Sequence, residues 1–305
     1  MTSLNAPLAG VFPVFQTPYE ENGDIDYAVL AKEINWLLEA GSDGLVMAMV
    51  SEVLRLSHNE RRELAAKTCE IAADRCPVVI SVGGESTRIA VENTKHAESI
   101  GAAAVMAIPP VSIGAMEQEL FAYYTAVIES VAIPVIVQDA SGYVGKPMSI
   151  ELQANLMKTH GADKVLFKPE ATPIGPRLSA LRDATDGKAR IFEGTGGIAL
   201  VDSYRRGIVG TMPGADLIHG IVALYKALEA GNEQRIYELS FPISAIVATQ
   251  HSLDAFLAIE KHLLVRQQVF TNTIVRGPVG YKPDEETLRE VDRLFDRLTA
   301  VLEKP

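Results

Sequence analysis

Between Gly10 and Gly231, short apolar runs alternate with longer segments of helical periodicity, and this alternation limits the possible folds more than any other feature of the sequence. The apolar runs predict eight strands, at residues 10–15, 44–49, 78–82, 103–108, 134–139, 165–168, 190–193 and 209–212. The segments between them predict helices at residues 27–39, 58–74, 87–99, 117–130, 150–159, 176–183, 200–205 and 217–230. Strands and helices that alternate in this way favour a parallel sheet.

Eight strand–helix units within about 220 residues are typical of a (β/α)8 barrel, the TIM barrel. The competing doubly wound sheet usually has a glycine-rich phosphate loop after its first strand, whereas this chain has Gln16 and Thr17 there. Beyond Gly231 only helices are predicted, at residues 233–249, 253–268 and 284–302. We therefore predict an α/β fold, in which a TIM barrel at residues 1–231 carries a C-terminal helical extension, residues 232–305, packed on the barrel.

Composition narrows the range of partners. The formal net charge is -11 and dense Lys/Arg blocks are absent, which argues against nucleic acid or an anionic membrane as a partner. The two cysteines, Cys69 and Cys76, are too few for a disulfide framework, and neither they nor the six histidines show metal-site spacing. We expect a cytoplasmic protein that acts on a small molecule and needs neither a metal nor an organic cofactor.

Lys168 ends the predicted sixth strand, and a lysine is an unusual residue at such a buried position. Desolvation disfavours the ammonium form, so this amine can be neutral and attack a ketone to form a Schiff base. The alternative is a structural lysine whose stem is buried and whose amine reaches water. In a TIM barrel the chemistry lies at the carboxyl ends of the strands, which is where Lys168 stands.

Several other polar residues follow predicted strands. Glu170 lies two residues beyond Lys168 and therefore on the same face, so it is a candidate base or water-orienting acid, with a structural salt bridge as the alternative. Gln138 and Asp139 are candidates for orienting substrate hydroxyls, or else they plug the end of the barrel. Glu52 is either an acid that assists a leaving hydroxyl or a loop carboxylate before the next helix.

A glycine-rich segment at residues 193–197 lacks the lysine and the helix signature of a P-loop. We interpret it as a loop that lets the backbone, at Gly194 and Thr195, approach the tail of the substrate. Met212 ends the eighth strand and is a further candidate for substrate contact. Asp216 follows shortly afterwards, and its charge argues against a phosphate site at this end of the barrel.

The sequence resembles the dihydrodipicolinate synthase / N-acetylneuraminate lyase superfamily from about Gly10 to Leu302. The resemblance rests on Asp43 with Gly44, on Leu-Ser-His-Asn-Glu at residues 56–60, and on Lys168. It implies a TIM barrel with a helical extension, a homo-oligomer (tetramer or dimer), and a Schiff base between Lys168 and a 2-oxo acid. It also implies that residues 48–52, including Val50, Ser51 and Glu52, hold the substrate carboxylate.

The chain departs from the family pattern around the proton relay. Ala-Met-Val-Ser-Glu at residues 48–52 replaces Gly-Thr-Thr-Gly-Glu, and Gln138 stands in place of the tyrosine that shuttles protons. Residues 110–112 lack the tyrosine pair of the lysine-pathway synthase, and Tyr143 replaces the arginine expected for its dicarboxylate product. These losses argue against the lysine-pathway synthase.

Residues 137–140, 51–52, 106–110 and 167–170 are more similar to the branch of 2-keto-3-deoxy-sugar-acid dehydratases, which includes enzymes acting on L-2-keto-3-deoxyarabonate. The branch implies a Schiff-base lyase that dehydrates a 2-keto-3-deoxy sugar acid. Retro-aldol cleavage needs a group that takes the C4 hydroxyl proton, and the phenol suited to that task is missing. Two alternatives stay open: an aldolase that uses pyruvate, and a non-catalytic homologue that binds 2-oxo acids.

Overall fold

The computed structural model of the chain describes residues 7–142 and 146–304. In these residues eight strands alternate with helices: β1 Gly10–Val11, β2 Leu45–Met47, β3 Val78–Ser81, β4 Ala104–Ala107, β5 Val135–Gln138, β6 Val165–Lys168, β7 Phe192–Glu193 and β8 Gly210–Thr211. The helices are α1 Tyr27–Glu39, α2 His58–Ala72, α3 Thr87–Ser99, α4 Glu117–Glu129, α5 Ile150–His160, α6 Ile174–Ala184, α7 Leu200–Arg205, α8 Ile218–Glu229, α9 Glu233–Val247, α10 Leu253–Arg266 and α11 Glu285–Leu302.

The strands form a closed ring of parallel neighbours. Strands β2 to β6 pair in chain order, and β8 pairs with both β1 and β7. A parallel bridge between Val14 and Val46 joins the two groups at one side, and a bridge between Phe167 and Ile191 joins them at the other. The ring confirms the predicted TIM barrel, in which parallel strands carry their helices on the outside.

The barrel interior is filled by side chains, and small residues make room for large ones. The rings of Phe12 and Phe192 meet edge to face with their centroids 5.4 Å apart. A Cβ atom on Gly44 would lie 2.2 Å from the ring of Phe12, so the second strand can pass this ring only with glycine at that position. The result is a packed core below the site rather than a pore.

Local signals place most helix starts correctly, with α6 beginning two residues before its predicted start, whereas several strands are shorter than predicted. The Ser57 hydroxyl accepts a hydrogen bond from the Glu60 N–H, and the Glu60 carboxylate accepts one from the Ser57 N–H. These two bonds confirm the predicted capping box of α2. The predicted strand 44–49 ends at Met47, because a 3-10 turn, Met49–Ser51, bends the chain across the barrel mouth. The predicted strand 10–15 is shorter in the structure, where β1 ends at Val11, because Pro13 has no N–H to donate to a neighbouring strand.

The helices after residue 232 share their core with the barrel. Helix α9 begins after Asn232, whose side chain accepts from the Arg235 N–H, and Ile243 on this helix belongs to the same buried core as Ile221 on α8. Helix α10 lies at the barrel mouth, where Phe256 reaches the site described below. The division at residue 231 stays a prediction. In the described ranges, no helix combines the length and the apolar character needed to cross a membrane.

Candidate active site

Lys168 and Gln138 lie side by side at the carboxyl ends of β6 and β5, where the two residues are paired in register. The Lys168 Nζ donates to Glu170 Oε1 at 2.8 Å, and Gln138 Nε2 donates to Glu170 Oε2 at 3.0 Å. All three side chains are buried, with Lys168 4% and Glu170 5% exposed. The predicted pairing of Lys168 and Glu170 on one face therefore exists as a direct charged hydrogen bond.

This trio opens into a narrow pocket of about 350 Å³ of empty space, open solvent included. The pocket is lined by Val14, Ala48, Met49, Val50, Gln138, Lys168, Glu170, Gly194, Gly196, Met212, Pro213, Gly214 and Phe256. Lys168 and Glu170 are the ionisable side chains of this described lining, which contains neither tyrosine nor histidine. Proton transfer by described side chains in the pocket therefore falls to these two groups.

Gly194 touches the candidate nucleophile through its backbone. A Cβ atom at this position would lie 2.7 Å from Lys168 Cε and 3.0 Å from Glu170 Oε1, closer than side chains tolerate. Glycine is therefore required if the chain after β7 is to pass Lys168 and Glu170 at this distance. The predicted contact of Gly194 with the substrate stays a prediction, as does that of Met212 and Val50, which line the same pocket.

Glu193 fixes the turn that carries Gly194. Its carboxylate accepts from the backbone N–H and the hydroxyl of Thr195, and from the Thr211 hydroxyl at 2.7 Å. Burial raises the pKa of Glu193, and the hydrogen bonds together with the charge of Lys168 oppose that rise. The polar groups of Thr195 are thus engaged by Glu193, and Thr195 is absent from the described pocket lining.

Ser51 and Asp139 hold loops together behind the pocket lining. The Ser51 hydroxyl donates to the Phe15 carbonyl at 2.6 Å and accepts from the Ala48 N–H at 3.1 Å. Asp139 accepts from the Met148 N–H at 2.8 Å and from the Ser141 N–H at 3.0 Å. Their predicted roles in substrate binding stay predictions, and Tyr143 lies outside the described residues.

Glu52 is directed toward the C-terminal extension. Its carboxylate accepts from Lys261 Nζ at 2.6 Å and from the Arg276 N–H at 2.9 Å, and both side chains of the ion pair are fully buried. Lys261 donates further to the carbonyls of Thr17 and Ile274. The predicted substrate contact of Glu52 stays a prediction. In this structure its carboxylate joins the extension to the barrel instead.

Sequence reasoning missed what α10 contributes to the site. Phe256 lines the pocket, and Glu260, one helical turn further on, lies fully buried on the same side of α10. A signal was present, because Glu260 and Lys261 interrupt the apolar stripe of this helix, and charges on a buried stripe need partners elsewhere. Within residues 7–142 and 146–304, no group of three or more His, Cys, Asp or Glu side chains is arranged to hold a metal ion.

The chain is similar to several known proteins in sequence and in fold. An L-2-keto-3-deoxyarabonate dehydratase from Azospirillum brasilense is 30% identical over 246 residues, which is 78% of each chain. A 4-hydroxy-tetrahydrodipicolinate synthase from Ralstonia nicotianae is 32% identical over 195 residues, 64% of each chain. The solved 4-hydroxy-tetrahydrodipicolinate synthase of Methylacidiphilum fumariolicum superposes with a TM-score of 0.88 at 22% identity and covers 97% of both chains.

A second solved structure, YagE from E. coli K12 in complex with pyruvate, superposes with a TM-score of 0.89 at 23% identity, covering 96% of this chain and 99% of that chain. At such identities these two structures support the fold alone. The profile of the Dihydrodipicolinate synthetase family matches residues 7–296, which is nearly the whole chain. The chain therefore belongs to the Dihydrodipicolinate synthetase family and is a Schiff-base lyase.

Proposed function

We propose that the enzyme dehydrates a 2-keto-3-deoxy sugar acid, with Lys168 as the amine that forms the imine. The observation that carries this proposal is the buried contact of Lys168 Nζ with Glu170 Oε1, 2.8 Å, beside Gln138 at the mouth of the barrel. A carboxylate at this distance can take a proton from the ammonium group and return it later. Lysine and its acid–base partner are thus in place before the substrate binds.

In the proposed reaction, Lys168 gives one proton to Glu170 and its amine adds to C2 of the substrate. The C2 oxygen takes one proton from the amine nitrogen and takes back the proton held by Glu170, and it leaves as water, which gives a protonated imine and restores the Glu170 carboxylate. Glu170 then removes a proton from C3 to form an enamine. The electron pair of the enamine forms a C3–C4 double bond while the C4 hydroxyl leaves as water with the proton from Glu170. With L-2-keto-3-deoxyarabonate, a proton then moves from C5 to C3, and the enol formed at C4 and C5 becomes an aldehyde. Hydrolysis of the remaining imine releases the product, 2-oxoglutarate semialdehyde, and frees Lys168.

Dehydration fits the pocket better than retro-aldol cleavage does. Cleavage of C3–C4 requires a group that removes the C4 hydroxyl proton, and an amide such as Gln138 cannot take up and return a proton as a phenol can. In dehydration Glu170 alone moves the proton from C3 to the leaving hydroxyl. The similarity to the L-2-keto-3-deoxyarabonate dehydratase supports the same choice.

The substrate is proposed to carry a single carboxylate. Residues 48–50 line the pocket, and the backbone N–H groups of Met49 and Val50 would hold that carboxylate, since the Ala48 N–H already donates to Ser51. Apart from Lys168, cationic side chains are absent from the described pocket lining, so a second carboxylate would lose its hydration without gaining a partner. Gln138, and also Asp139 and Tyr143, are proposed to face the hydroxyl groups of the sugar acid.

An aldolase that uses pyruvate is the second candidate. Several relatives, such as that of Ralstonia nicotianae, are named as 4-hydroxy-tetrahydrodipicolinate synthases, and such a reaction would use the same imine at Lys168. The two candidates differ only after the enamine has formed. A non-catalytic homologue that binds 2-oxo acids would need no amine and carboxylate pair buried together.

Borohydride trapping followed by intact mass tests the proposal, with pyruvate and with L-2-keto-3-deoxyarabonate in separate reactions. We expect a reduced adduct on Lys168 with both compounds, and release of 2-oxoglutarate semialdehyde from the second. Release of pyruvate instead would select the aldolase. Lys168→Ala should abolish the adduct, whereas Lys158→Ala, at an exposed lysine of α5, should leave it unchanged. A wild-type enzyme that forms no adduct would leave only the binding homologue.

The enzyme is further proposed to form a homo-oligomer, either a dimer or a tetramer. Members of the family are generally oligomeric and act on small molecules. Light scattering coupled to size-exclusion chromatography distinguishes the two assemblies by mass. A monomer at micromolar concentration would contradict the proposal.

A further inference from the structure

Two buried carboxyl groups meet directly behind the pocket wall. Asp216 follows β8 and is 3% exposed, and Glu260 on α10 is fully buried; their side chains are hydrogen-bonded to each other. Gly214 separates them from the pocket: a Cβ atom there would lie 1.5 Å from Glu260 Oε1 and 3.1 Å from Asp216 Oδ1. Because Gly214 lines the pocket, this carboxyl pair supports the wall that the substrate meets.

The lysine next to Glu260 in the chain makes its hydrogen bonds to other groups. Lys261 follows Glu260 in the chain, but its Nζ donates to Glu52 Oε1 and to the carbonyls of Thr17 and Ile274, which uses its three hydrogens. Glu33 on α1 faces Glu260 as a further buried acid, and its pKa is raised to about 8 by burial. The groups around the pair are therefore mainly acidic, so charge repulsion adds to desolvation.

Neutral donors complete the surroundings. Gln16 Nε2 donates to Glu260 Oε2, and Gln250 Nε2 donates to Asp216 Oδ2 at 3.0 Å. On α8, His219 lies in the same surface groove as Asp216, and partial desolvation lowers the pKa of this histidine, which favours its uncharged form. When both carboxyl groups are ionised, none of these donors makes a hydrogen bond to Glu260 Oε1.

Two buried carboxylates in contact cannot both ionise without a large cost, and one proton converts their repulsion into a hydrogen bond. Burial raises the pKa of Asp216 to about 6 and raises the pKa of Glu260 well above its ordinary value, and Asp216 adds to the rise at Glu260. The proton belongs to the pair rather than to either group.

We propose that Asp216 and Glu260 are positioning residues, which share one proton and thereby hold the pocket wall at residues 212–214 against α10. Helix α10 also brings Phe256 into the pocket. The shared proton therefore fixes residues 212–214 to the helix that carries this second part of the pocket lining. Loss of the proton leaves two facing carboxylates and separates the wall from the helix. The effect on substrate rests on the proposed imine chemistry, whereas the effect on the wall does not.

The sign of the pH dependence follows from the raised pKa values. The contact is complete below the ordinary pKa of a carboxyl group and weakens as pH rises through the pKa of the pair. Glu260→Gln puts a permanent amide donor opposite Asp216, and Asp216→Asn puts one opposite Glu260. Either variant makes the contact without a shared proton, so its strength should no longer follow pH.

The test measures the pyruvate concentration that gives half-maximal borohydride trapping, between about pH 6 and about pH 9. In the wild type this concentration should rise by up to about tenfold per pH unit once the pH exceeds the pKa of the pair. Both variants should lack this rise, so the ratio of the wild-type concentration to the variant concentration should increase with pH. Taking this ratio cancels the pH dependence of the imine chemistry itself. Glu229→Gln, at an exposed acid of α8, serves as control and should follow the wild type. Hydrogen exchange of peptides covering residues 210–217 and α10 gives a second measurement without substrate.

Protection of these peptides, meaning their exchange relative to the intrinsic rate at each pH, should fall as pH rises in the wild type but not in either variant, and this result would support the shared proton even if no imine forms. A missing imine in every protein would then refute the proposed function alone. If exchange and trapping follow pH equally in the wild type, Glu260→Gln and Asp216→Asn, the positioning role is wrong.

Discussion

Gly194→Ala tests whether the backbone after β7 sets the position of the catalytic lysine. The new Cβ would lie 2.7 Å from Lys168 Cε, while ordinary contacts begin near 3.4 Å, so Cε has to retreat by about 0.7 Å. Glu193 holds the turn through Thr195 and Thr211, so the displacement falls mainly on the lysine rather than on residue 194. A misplacement of about 1 Å costs on the order of 100-fold in rate.

We therefore expect Gly194→Ala to slow imine formation with pyruvate by about 10- to 100-fold, which corresponds to about 1.4–2.7 kcal/mol in the barrier. The assay is the rate of borohydride-trapped adduct by mass spectrometry, with thermal unfolding as the check that the barrel is intact. Gly114→Ala is the matched control, because its Cβ would meet only Lys146 atoms at 3.7 Å and 3.8 Å. A folded Gly194→Ala enzyme that forms the adduct at the wild-type rate would refute the reasoning.

Three further changes test the charges around the site. Glu170→Gln should still form the imine with pyruvate. In a product-release assay it should lower the rate of dehydration by at least about 100-fold, which is the scale of general acid–base catalysis. Unchanged turnover would show that Glu170 does not transfer the proton. Burial raises the pKa of Glu33 to about 8, so wild-type stability should fall by up to roughly 5 kcal/mol as pH rises from about 4.5 to about 8. Glu33→Gln should remove the larger part of that loss in urea unfolding at two pH values, whereas Glu39→Gln on the exposed side of the same helix should retain all of it. Lys261→Met should destabilise the fold by about 3–5 kcal/mol, because Glu52 stays buried without its charged partner. Adding Glu52→Gln should restore part of the lost stability. Equal unfolding midpoints in the wild type, the single variant and the double variant would contradict this.

Much of the architecture was predictable because its signals are local. Helices α1, α3 and α7 have the predicted bounds, since helical periodicity and capping residues such as Ser86 lie within a few positions of the ends they set. Lys168 could be selected because burying a lysine is costly and because the resemblance to a Schiff-base family implies a lysine at the end of the sixth strand. The strand ends were less predictable, since hydrogen bonds to a neighbouring strand decide where pairing stops.

The sequence by itself determined the eightfold alternation, the closed barrel that follows from it, and the lysine at the end of β6, because each depends on neighbouring residues and on general rules of chain geometry. Strand alternation also predicted Glu170 on the same face as that lysine, whereas only the tertiary structure decided which of the more distant polar groups reach the two. Glu170 and Gln138 meet it in the pocket, whereas the carboxylate of Glu52 pairs with Lys261, which lies 209 positions further along the chain. Partners so distant carry no shared local pattern, and their pairing depends on how α10 settles across the mouth of the barrel.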